Sequence, residues 1–475
     1  MKKDKTLKIL SFLSAFLIFI TALTPTYVMA VPEADEEITE EEKSPEFDQS
    51  GRPILPPNET AILIDGATGV VLYEKGSSAK MYPASTTKIM TCLIAAEAIE
   101  KGEVTLEENI TISKDMLRGL PIDGSSMGLL EDEVISFDAL LKGLMIPSGN
   151  DAAMAIAFRL SGGLDQFVER MNNRALEMGL TNTHFENPHG LHHENHYTTA
   201  AELAKIAMEA MKHPIFRNIV DIAHIKIPPT NKTPEERYYI NTNGLLSTMR
   251  YVDYFYKGTT GIKTGRTTEA GNCLVASVKK GAMELISVVL GAKDVTESHN
   301  DSIKIFDYGF NNYVLVKAIP KDDIVGQADV KWGRGKDTVT LSAKNDIFVV
   351  LPKGTDTSKL ETSLNQDTAV FAPVAKGQDV CTATVYLDGT PLNTGVLIAD
   401  TTIKRSFFWP VFAVGDWLWS LLLVRLIVYL ILIALACLVF LIILGLILDY
   451  QKKKKRQRRR RYGMEQNNRN PRNLS

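Results

Sequence analysis

The sequence predicts an α+β domain, followed by a small all-β domain and one C-terminal helix long enough to span a membrane. In residues 58–313, apolar β-rich runs lie at both ends and helical patterns fill the middle. In residues 314–405, short apolar runs alternate with Gly, Pro, Asp and Asn turns, which is typical of a small β domain. Residues 426–448 are an uninterrupted apolar stretch of the length that a bilayer requires.

Composition and charge narrow the class of protein. The chain has 475 residues, 45% of them hydrophobic, so it can form two or three domains with a large core. The net charge of -3 combines an acidic segment at 33–46 with a basic one at 452–461. The basic segment directly follows the apolar stretch, so it is interpreted as a membrane flank and no nucleic-acid partner is predicted. Four scattered cysteines are too few for a disulfide framework or a zinc site.

The N-terminal segment has the features of an export signal. Residues 1–30 carry lysines at positions 2, 3, 5 and 8, an apolar run over 9–23, and small residues up to Ala30. This pattern predicts a secretory signal peptide cleaved after Ala30, with a retained N-terminal anchor as the alternative. Residues 31–57 are acidic and then Pro-rich, which predicts a disordered linker.

The elements of the first domain are predicted from apolar runs, turn residues and helix caps. Ser136 is a suitable N-cap for the helix that follows it, and residues 113–179 as a whole are expected to be mostly helical. The predicted elements are a hairpin over 61–64 and 70–73, helices over 137–145, 151–160, 200–212 and 298–311, and buried strands over 273–278 and 285–290.

The part of the chain after residue 313 is expected to hold no catalytic group. The strands predicted in 314–405 have no catalytic spacing, so this domain is interpreted as a spacer or docking module. Trp409, Trp417 and Trp419 mark 406–425 as a juxtamembrane segment before the span. The positive-inside rule makes 449–475 a cytoplasmic tail and places the first domain outside the cell.

A serine and a lysine three residues apart open an apolar helix. Apolar side chains from Ile89 to Ala96 predict a buried helix with Ser85 in its opening turn. Residues three apart share a helix face, so the Lys88 amine can approach the Ser85 hydroxyl. A serine is a weak nucleophile unless a base takes its proton, and a lysine can do so where its surroundings disfavour the ammonium form. Alone, the pair also fits an N-capping serine beside an exposed lysine.

Two further motifs give the pair its meaning. Ser148-Gly149-Asn150 lies in a polar turn between two apolar helices, and Lys263-Thr264-Gly265 precedes two buried strands. With Ser85-x-x-Lys88, their order and separation resemble the known signature of penicillin-recognising serine enzymes. Three more stretches resemble the D-alanyl-D-alanine carboxypeptidases of low molecular mass, namely 187–192, 195–200, and 261–267 with Ala270-Gly271. The resemblance covers 61–311 and, more loosely, the β-rich domain.

The resemblance implies a role for each motif residue in the reaction. Ser85 attacks the carbonyl between two terminal D-alanines and forms an acyl-enzyme, with Lys88 as the general base. Which group takes the proton in this superfamily is disputed. Ser148 relays a proton between the lysines and the leaving amine, and the Asn150 amide hydrogen-bonds the substrate backbone.

The third motif is expected to bind the substrate. Lys263 and Thr264 suit the carboxylate of the last D-alanine, one as a charge and the other as a hydroxyl donor. Gly265 lets the substrate lie close to the strand. The backbone N–H groups of Ser85 and Arg266 are the expected oxyanion hole.

The chain departs from its relatives at three places. Arg266 stands where relatives often carry His or Thr, which the main-chain role at that position tolerates. Some relatives place an arginine after the strand that here ends near Leu290, whereas this chain has Lys293 and His299. Many relatives end in an amphipathic surface helix, whereas this one has a full span.

The residues and the resemblance together indicate a membrane-tethered D-Ala-D-Ala carboxypeptidase. Its expected substrate is the peptidoglycan stem pentapeptide, and penicillin is expected to form the same acyl-enzyme and to persist on it. A β-lactamase, a peptidoglycan endopeptidase and a membrane-anchored penicillin sensor are the alternatives, and a vegetative or a sporulation role stays open. No cofactor is expected. A cluster of four histidines lacks the His-Glu-x-x-His spacing of a zinc site, so it predicts a structural loop beside the active site and no metal centre. The four are His189, His192, His193 and His196.

Overall fold

The computed structural model describes residues 46–366 and 369–467. The expected signal peptide at 1–30, the linker up to residue 45 and the last residues of the basic tail lie outside the described residues. The strands of the first domain are β1 (Thr60–Asp65), β2 (Val71–Lys75), β3 (Asn109–Thr111), β4 (Val134–Ser136), β5 (His224–Ile227), β6 (Arg237–Ile240), β7 (Thr259–Thr267), β8 (Gly271–Lys280) and β9 (Met283–Ala292). Its helices are α1 (Lys88–Glu100), α2 (Phe137–Met145), α3 (Asn150–Ser161), α4 (Leu164–Glu177), α5 (Ala200–Ala210), α6 (Pro214–Val220) and α7 (Val295–Asn312).

A five-stranded antiparallel sheet with strand order β2-β1-β9-β8-β7 forms the centre of the first domain. Successive side chains of a strand point to opposite faces, and in β1 both faces are buried. Ile62 and Ile64 pack into the helical cluster, whereas Ala61 and Leu63 pack toward α7 on the other face. Burial on both faces explains why the apolar run is uninterrupted. The antiparallel pairing of β1 with β2 confirms the predicted hairpin. Strand β7 lies at the end of this strand order.

Helix α1 lies inside the helical cluster and is buried on all sides from Lys88 to Ala96, whereas its last turn is partly exposed. This explains why its apolar residues lack the period of a surface helix, since no face of the buried part meets water. Burial of each large aliphatic side chain stabilises the fold by roughly 2 kcal/mol. Neighbouring α2 begins where predicted, because Ser136 Oγ accepts a hydrogen bond from the Ala139 N–H at 3.2 Å. The fully buried side chains of α1 include Ile89, Cys92, Leu93, Ala95 and Ala96.

The structure differs from the predicted pattern in two segments. The stretch before α2 is not helical, because a short 3₁₀ turn at Lys114–Leu117 is followed by a loop and then by β4. The described end of the predicted linker is also packed and not disordered. Leu55 is buried in the core beside α7, and the Tyr73 hydroxyl donates to the Pro53 carbonyl at 2.9 Å. Apolar contacts inside a Pro-rich, weakly patterned segment leave no periodic signal in the sequence.

The second domain is all-β, as predicted. Its strands are β10 (Tyr313–Ile319), β11 (Ile324–Lys331), β12 (Thr338–Ala343), β13 (Ile347–Pro352), β14 (Leu360–Asn365), β15 (Val370–Phe371), β16 (Asp379–Leu387) and β17 (Thr390–Ala399). Six of them form one sheet of order β14-β16-β17-β12-β11-β15, and β10 pairs with β13. Their shared apolar cluster includes Leu341, Val349 and Leu397.

Two helices follow the second domain. Helix α8 (Trp409–Ser420) carries the three tryptophans, and α9 (Leu422–Asn467) follows it after one residue. The segment Val424–Arg461 of α9 is long and apolar enough to cross a membrane, and none of its most apolar window is buried against protein. With a rise of 1.5 Å per residue, α9 is about 70 Å long, so it extends well beyond a bilayer core.

A buried carboxyl group lies between the start of β1 and α7. Glu59 is 2% exposed, and neither of its carboxyl oxygens has a hydrogen-bond partner within the described chain by distance and angle. Burial and the nearby carboxylates of Asp301 and Glu297 raise the pKa of Glu59 to about 9. Lys75 lies on the other side, where its ammonium group donates to the Glu59 carbonyl oxygen at 2.8 Å. Glu59 is therefore protonated in the folded protein at neutral pH.

We expect this proton to make the stability of the fold depend on pH. The folded state holds a proton that the unfolded state, with an ordinary glutamate pKa, releases above about pH 5. The free energy of unfolding should therefore fall as pH rises from about 5 to 9, and Glu59→Gln should flatten this slope. Thermal melts of the full chain in detergent at several pH values measure it, with an expected difference in Tm on the order of 5 °C at pH 9. Glu107→Gln, at an exposed position, is the control, and an unchanged slope in Glu59→Gln would contradict the assignment.

Candidate active site

The predicted nucleophile lies in a strained turn at the start of α1. A 3₁₀ turn covers Ala84–Thr87, and Ala84 has a φ of 47°, a left-handed conformation that is rare for a residue with a side chain. Two neighbouring hydroxyls hold the turn, since Thr86 Oγ1 donates to the Pro83 carbonyl at 2.6 Å and Thr87 Oγ1 to the Ala84 carbonyl at 2.8 Å. Ser85 itself caps no helix and lines the adjacent cavity.

The Lys88 amine is buried and has three oxygen neighbours. Its Nζ lies 3.0 Å from Ser85 Oγ, 2.8 Å from Asn150 Oδ1 and 2.7 Å from the carbonyl oxygen of His189. The side chain has no exposed surface. Burial, with the cation of Lys263 close by, lowers the pKa of Lys88 well below its ordinary value, although Asp151 acts in the opposite direction. This environment contradicts the simple alternative of an exposed lysine beside a capping serine.

The three contacts determine what a neutral Lys88 can do. The Asn150 amide oxygen and the His189 carbonyl are acceptors only, so they take the two N–H groups of a neutral amine. The remaining lone pair is then left for Ser85, whose hydroxyl can donate to it. The arrangement directs the basic electron pair of Lys88 at the serine proton.

The second motif places Ser148 and Asn150 beside this pair. Ser148 has a φ of 68° and lines the cavity, and its buried Oγ has no hydrogen-bond partner within the described part of the chain. Asn150 begins α3, and its backbone N–H donates to the Ser125 carbonyl at 2.8 Å. The Asp151 carboxylate accepts from the Met127 and Leu129 N–H groups, both at 3.0 Å, and so ties the preceding loop to the motif.

The third motif lies on β7 and completes the constellation. Thr264, Gly265 and Arg266 line the same cavity as Ser85 and Ser148, while Lys263 is fully buried behind it. Burial, together with Arg250, lowers the pKa of Lys263 to about 7. The eight residues expected from the sequence therefore converge on one region. They are Ser85, Lys88, Ser148, Asn150, Lys263, Thr264, Gly265 and Arg266.

Two glycines allow the backbones around Ser85 to meet. A Cβ at Gly265 would lie 2.9 Å from the Ser85 nitrogen and 3.0 Å from the Pro83 oxygen. A Cβ at Gly190, where φ is 88°, would lie 1.9 Å from the Ala84 oxygen. Real Cβ contacts are not this short, so both positions require glycine. Gly265 thus has a structural reason beyond the substrate contact expected from sequence, namely the nucleophile turn packed against β7.

The histidine-rich loop packs behind the nucleophile as a structural element. The Pro188 carbonyl accepts from Thr91 Oγ1 at 2.6 Å, beside the His189 carbonyl that binds Lys88. His196 Nδ1 accepts from the Glu186 N–H at 3.2 Å, so Nε2 carries the proton and donates to Thr87 Oγ1 at 2.8 Å.

Both buried histidines of this loop are neutral. Burial is the main cause that lowers the pKa of His189 and of His196 to about 3. Within 46–366 and 369–467, no three His, Cys, Asp or Glu side chains come together as metal ligands. The loop therefore supplies backbone acceptors and neutral rings to the site.

The cavity also contains residues that the sequence did not indicate. It has a volume of about 240 Å³, and its wall includes Thr242, Arg250, Ser298 and His299. Thr264 Oγ1 donates to Thr242 Oγ1 at 2.6 Å, which orients the hydroxyl of the third motif. The polar run Asn241-Thr242-Asn243 before β7 could have indicated Thr242 as a site residue, whereas nothing in the local sequence indicates Arg250.

Two family models match the chain. The model described as D-alanyl-D-alanine carboxypeptidase matches residues 56–294, and the model described as penicillin-binding protein 5, C-terminal domain, matches residues 313–405. The first spans the sheet, the helical cluster and all three motifs. The second spans the all-β domain.

Similar whole proteins are also known. The D-alanyl-D-alanine carboxypeptidase DacF of Bacillus subtilis is 34% identical over 75% of this chain and 89% of its own length. DacC of Escherichia coli is 34% identical over 73% of this chain and 84% of its own length. The crystal structure of penicillin binding protein 5 from Haemophilus influenzae matches with a TM-score of 0.62 and 30% identity, covering 74% of this chain and all of that one.

These matches extend over both folded domains, and the site geometry agrees with them. The catalytic serine type, the sheet with its helical cluster and the C-terminal β domain are all shared. The chain belongs to the D-alanyl-D-alanine carboxypeptidase family of serine-type penicillin-binding peptidases.

Proposed function

We propose that the protein removes the terminal D-alanine from peptidoglycan stem pentapeptides through an acyl-enzyme on Ser85. One observation carries the proposal. The Lys88 amine has two obligate acceptors, Asn150 Oδ1 and the His189 carbonyl, and its third neighbour at 3.0 Å is Ser85 Oγ. The lowered pKa of Lys88 favours the neutral amine that this role needs. A base in contact with a serine hydroxyl is the elementary requirement of acyl transfer.

Acylation begins when Lys88 takes the Ser85 proton and the serine oxygen attacks the carbonyl carbon of the penultimate D-alanine. The negative charge that develops on the carbonyl oxygen is bound by the backbone N–H groups of Ser85 and Arg266. This assignment is supported by the contact of Gly265 with the Ser85 nitrogen, which brings the edge of β7 beside the nucleophile. Loss of one such donor costs on the order of 10²–10³ in rate.

Departure of the last D-alanine requires a proton on its nitrogen. Ser148 is suited to pass the proton that Lys88 took from Ser85 to this nitrogen, which leaves Lys88 neutral again. Its buried hydroxyl lines the cavity and has no hydrogen bond within the described chain that the substrate would have to replace. A buried hydroxyl without a hydrogen-bond partner lowers the stability of the free protein, and a hydrogen bond to the bound substrate removes this penalty. Water then hydrolyses the acyl-enzyme, and Lys88 serves again as the base.

The free carboxylate of the leaving D-alanine binds at the far end of the cavity. The Thr264 hydroxyl, which donates to Thr242 in the free protein, turns to the carboxylate when the substrate binds. The Lys263 amine lies beside it, and an anion there favours its ammonium form, since the pKa of Lys263 is about 7. Arg250 adds a guanidinium that lines the same cavity. It takes the place of the arginine that some relatives carry after the strand equivalent to β9, although it comes from a different segment of the chain. Together, the side chains of Lys263, Thr264 and Arg250 favour substrates that end in a free carboxylate.

Penicillin is expected to acylate Ser85 in the same way. The protein is expected to be exported by residues 1–30 and anchored by α9, with the basic tail in the cytoplasm. Support for the anchor comes from the apolar segment of α9 and from the positive charges after it. A domain outside the membrane can then reach the cell wall.

The overall proposal is tested by two rates. Release of free D-alanine from diacetyl-Lys-D-Ala-D-Ala should exceed turnover of penicillin, because the family chemistry leaves a persistent penicilloyl-enzyme. Rapid penicillin turnover without D-alanine release would indicate a β-lactamase instead.

Replacement of the nucleophile should abolish acylation. We expect Ser85→Ala to lose labelling by fluorescent penicillin and to lower D-alanine release by roughly 10⁴-fold or more, with little change in Tm. Ser113→Ala, an exposed serine on the same domain, is the matched control. Covalent labelling that persists in Ser85→Ala would refute the assignment.

Replacement of the motif lysine on β7 should act on the substrate carboxylate. Lys263→Ala should raise the KM for peptides with a free C-terminus by roughly 10- to 100-fold, because a charged hydrogen bond is lost. Peptides with a C-terminal amide should lose much less. Lys279→Ala, an exposed lysine on the neighbouring strand β8, should change neither. Equal losses on acid and amide substrates would exclude the carboxylate role.

Truncation tests the anchor. A chain that ends at Arg405 lacks α8 and α9, so it should leave the membrane fraction and still be labelled by penicillin. The full chain, fractionated in parallel, should require detergent. If the truncated chain stays membrane-bound, an uncleaved N-terminal segment is the anchor.

A further inference from the structure

His299 lines the same cavity as Arg250, and both of its ring nitrogens form hydrogen bonds. Its side chain belongs to the second turn of α7 and is 2% exposed. The Gly244 N–H donates to Nε2 at 3.1 Å, so Nε2 is unprotonated and Nδ1 carries the hydrogen. Nδ1 lies 2.8 Å from the Val295 carbonyl of the same helix and donates to it. The ring thus joins α7 to the chain that enters the 244–258 loop.

The same ring supports two aromatic side chains of that loop. The ring centroid of Tyr254 lies 5.0 Å from that of His299, and the centroid of Tyr251 lies 6.2 Å from it. Tyr254 is also held by a hydrogen bond of 2.6 Å between its hydroxyl and Thr296 Oγ1 on α7. A Cβ at Gly244 would lie 3.1 Å from His299 Nε2, so the backbone and the ring are in direct contact.

The loop carries the arginine that the proposed function assigns to the substrate carboxylate. Arg250 is exposed to the cavity, and its guanidinium carbon lies 5.7 Å from the centre of the Tyr251 ring. The base of the loop is closed by the Tyr256 N–H, which donates to the Leu245 carbonyl at 3.0 Å. Between these points, three apolar side chains of the loop face solvent and give it little packing, namely Met249, Val252 and Phe255.

We propose that His299 is a positioning residue that holds the 244–258 loop against α7 and thereby places the Arg250 guanidinium for the leaving D-alanine carboxylate. The proposal rests on the proposed function of the site. It goes beyond that function because it assigns substrate preference to a buried neutral ring that does not bind the carboxylate itself. His299 acts on Arg250 through the hydrogen bond from Gly244 and through its contacts with the rings of Tyr251 and Tyr254.

Two substitutions of His299 distinguish its hydrogen bond to Gly244 from the volume of its side chain. His299→Leu keeps an apolar side chain of similar size but cannot accept the Gly244 hydrogen bond, whereas the carbonyl oxygen of His299→Gln can. We expect His299→Leu to raise the KM for diacetyl-Lys-D-Ala-D-Ala by about tenfold with kcat changed by less than about twofold, since a uniform binding contact is weakened. His299→Gln should recover most of the lost KM, and Asn300→Ala, an exposed neighbour on α7, should match the wild type.

A double substitution tests whether the effect passes through Arg250. Arg250→Ala should raise the KM at least as much as His299→Leu does, because the guanidinium itself is lost. If His299 acts only through Arg250, adding His299→Leu to Arg250→Ala should change the KM no further. Additive losses in the double variant would overturn the proposal, and so would a fall in kcat with an unchanged KM.

A measurement without substrate keeps the proposal independent of the proposed reaction. Amide hydrogen exchange of the full chain in detergent should be faster across 244–256 in His299→Leu than in the wild type or in His299→Gln, with no change in α1. Unchanged exchange in this loop would overturn the positioning role even if activity fell. Failure of the wild type to release D-alanine, with the exchange result as expected, would instead refute the proposed function alone.

Discussion

The arrangement around the Lys88 amine is the constraint on which the rest of the site depends. An amine removed from water favours its neutral form, and here a second buried lysine adds repulsion between the two charges. The same burial makes every polar partner costly to lose, so the amine must find acceptors inside the protein. Asn150 and the His189 carbonyl are those acceptors, and each comes from a segment far from Lys88 in the sequence.

The fold supplies this environment through layers of backbone in close contact. The first part of helix α1 is buried on all sides, which leaves Lys88, its first residue, without access to water. The nucleophile turn is pressed between β7 and the histidine-rich loop, and glycines at 265 and 190 are the only way for these backbones to approach so closely. The strain at Ala84 is held by this packing and by the threonine hydroxyls around it.

The neutral histidines illustrate how a pattern can mislead about chemistry. Four of them within eight residues resemble a metal-binding tract, yet His196 holds Thr87 and His189 contributes its carbonyl, while burial keeps both rings uncharged. His299, which lies far away in sequence, is also buried and lines the cavity. His196 contacts the nucleophile turn through Thr87, and His299 accepts from the Gly244 N–H at the start of the loop that carries Arg250.

Much of the fold could be predicted from sequence because it depends on local physics. The hairpin of β1 and β2, the N-cap Ser136 and the membrane-length stretch of α9 each follow from spacing, capping or uninterrupted apolar composition within one short segment. The serine and lysine of the first motif were close for the same reason, since three residues on a helix share a face. The ordered end of the linker and the non-helical stretch before α2 were missed because their contacts lack periodicity.

The residue types of the site and their order along the chain can be read from the sequence alone. The partners that give those residues their chemistry depend on how the chain folds. Two contacts join residues separated by 100 or more positions, namely the His189 carbonyl with Lys88 and Gly190 with Ala84. Arg250 lines the cavity from a loop whose sequence has no recognisable pattern. Burial and hydrogen bonding between distant segments set pKa and orientation, and no local pattern of residues records which distant backbone will be there.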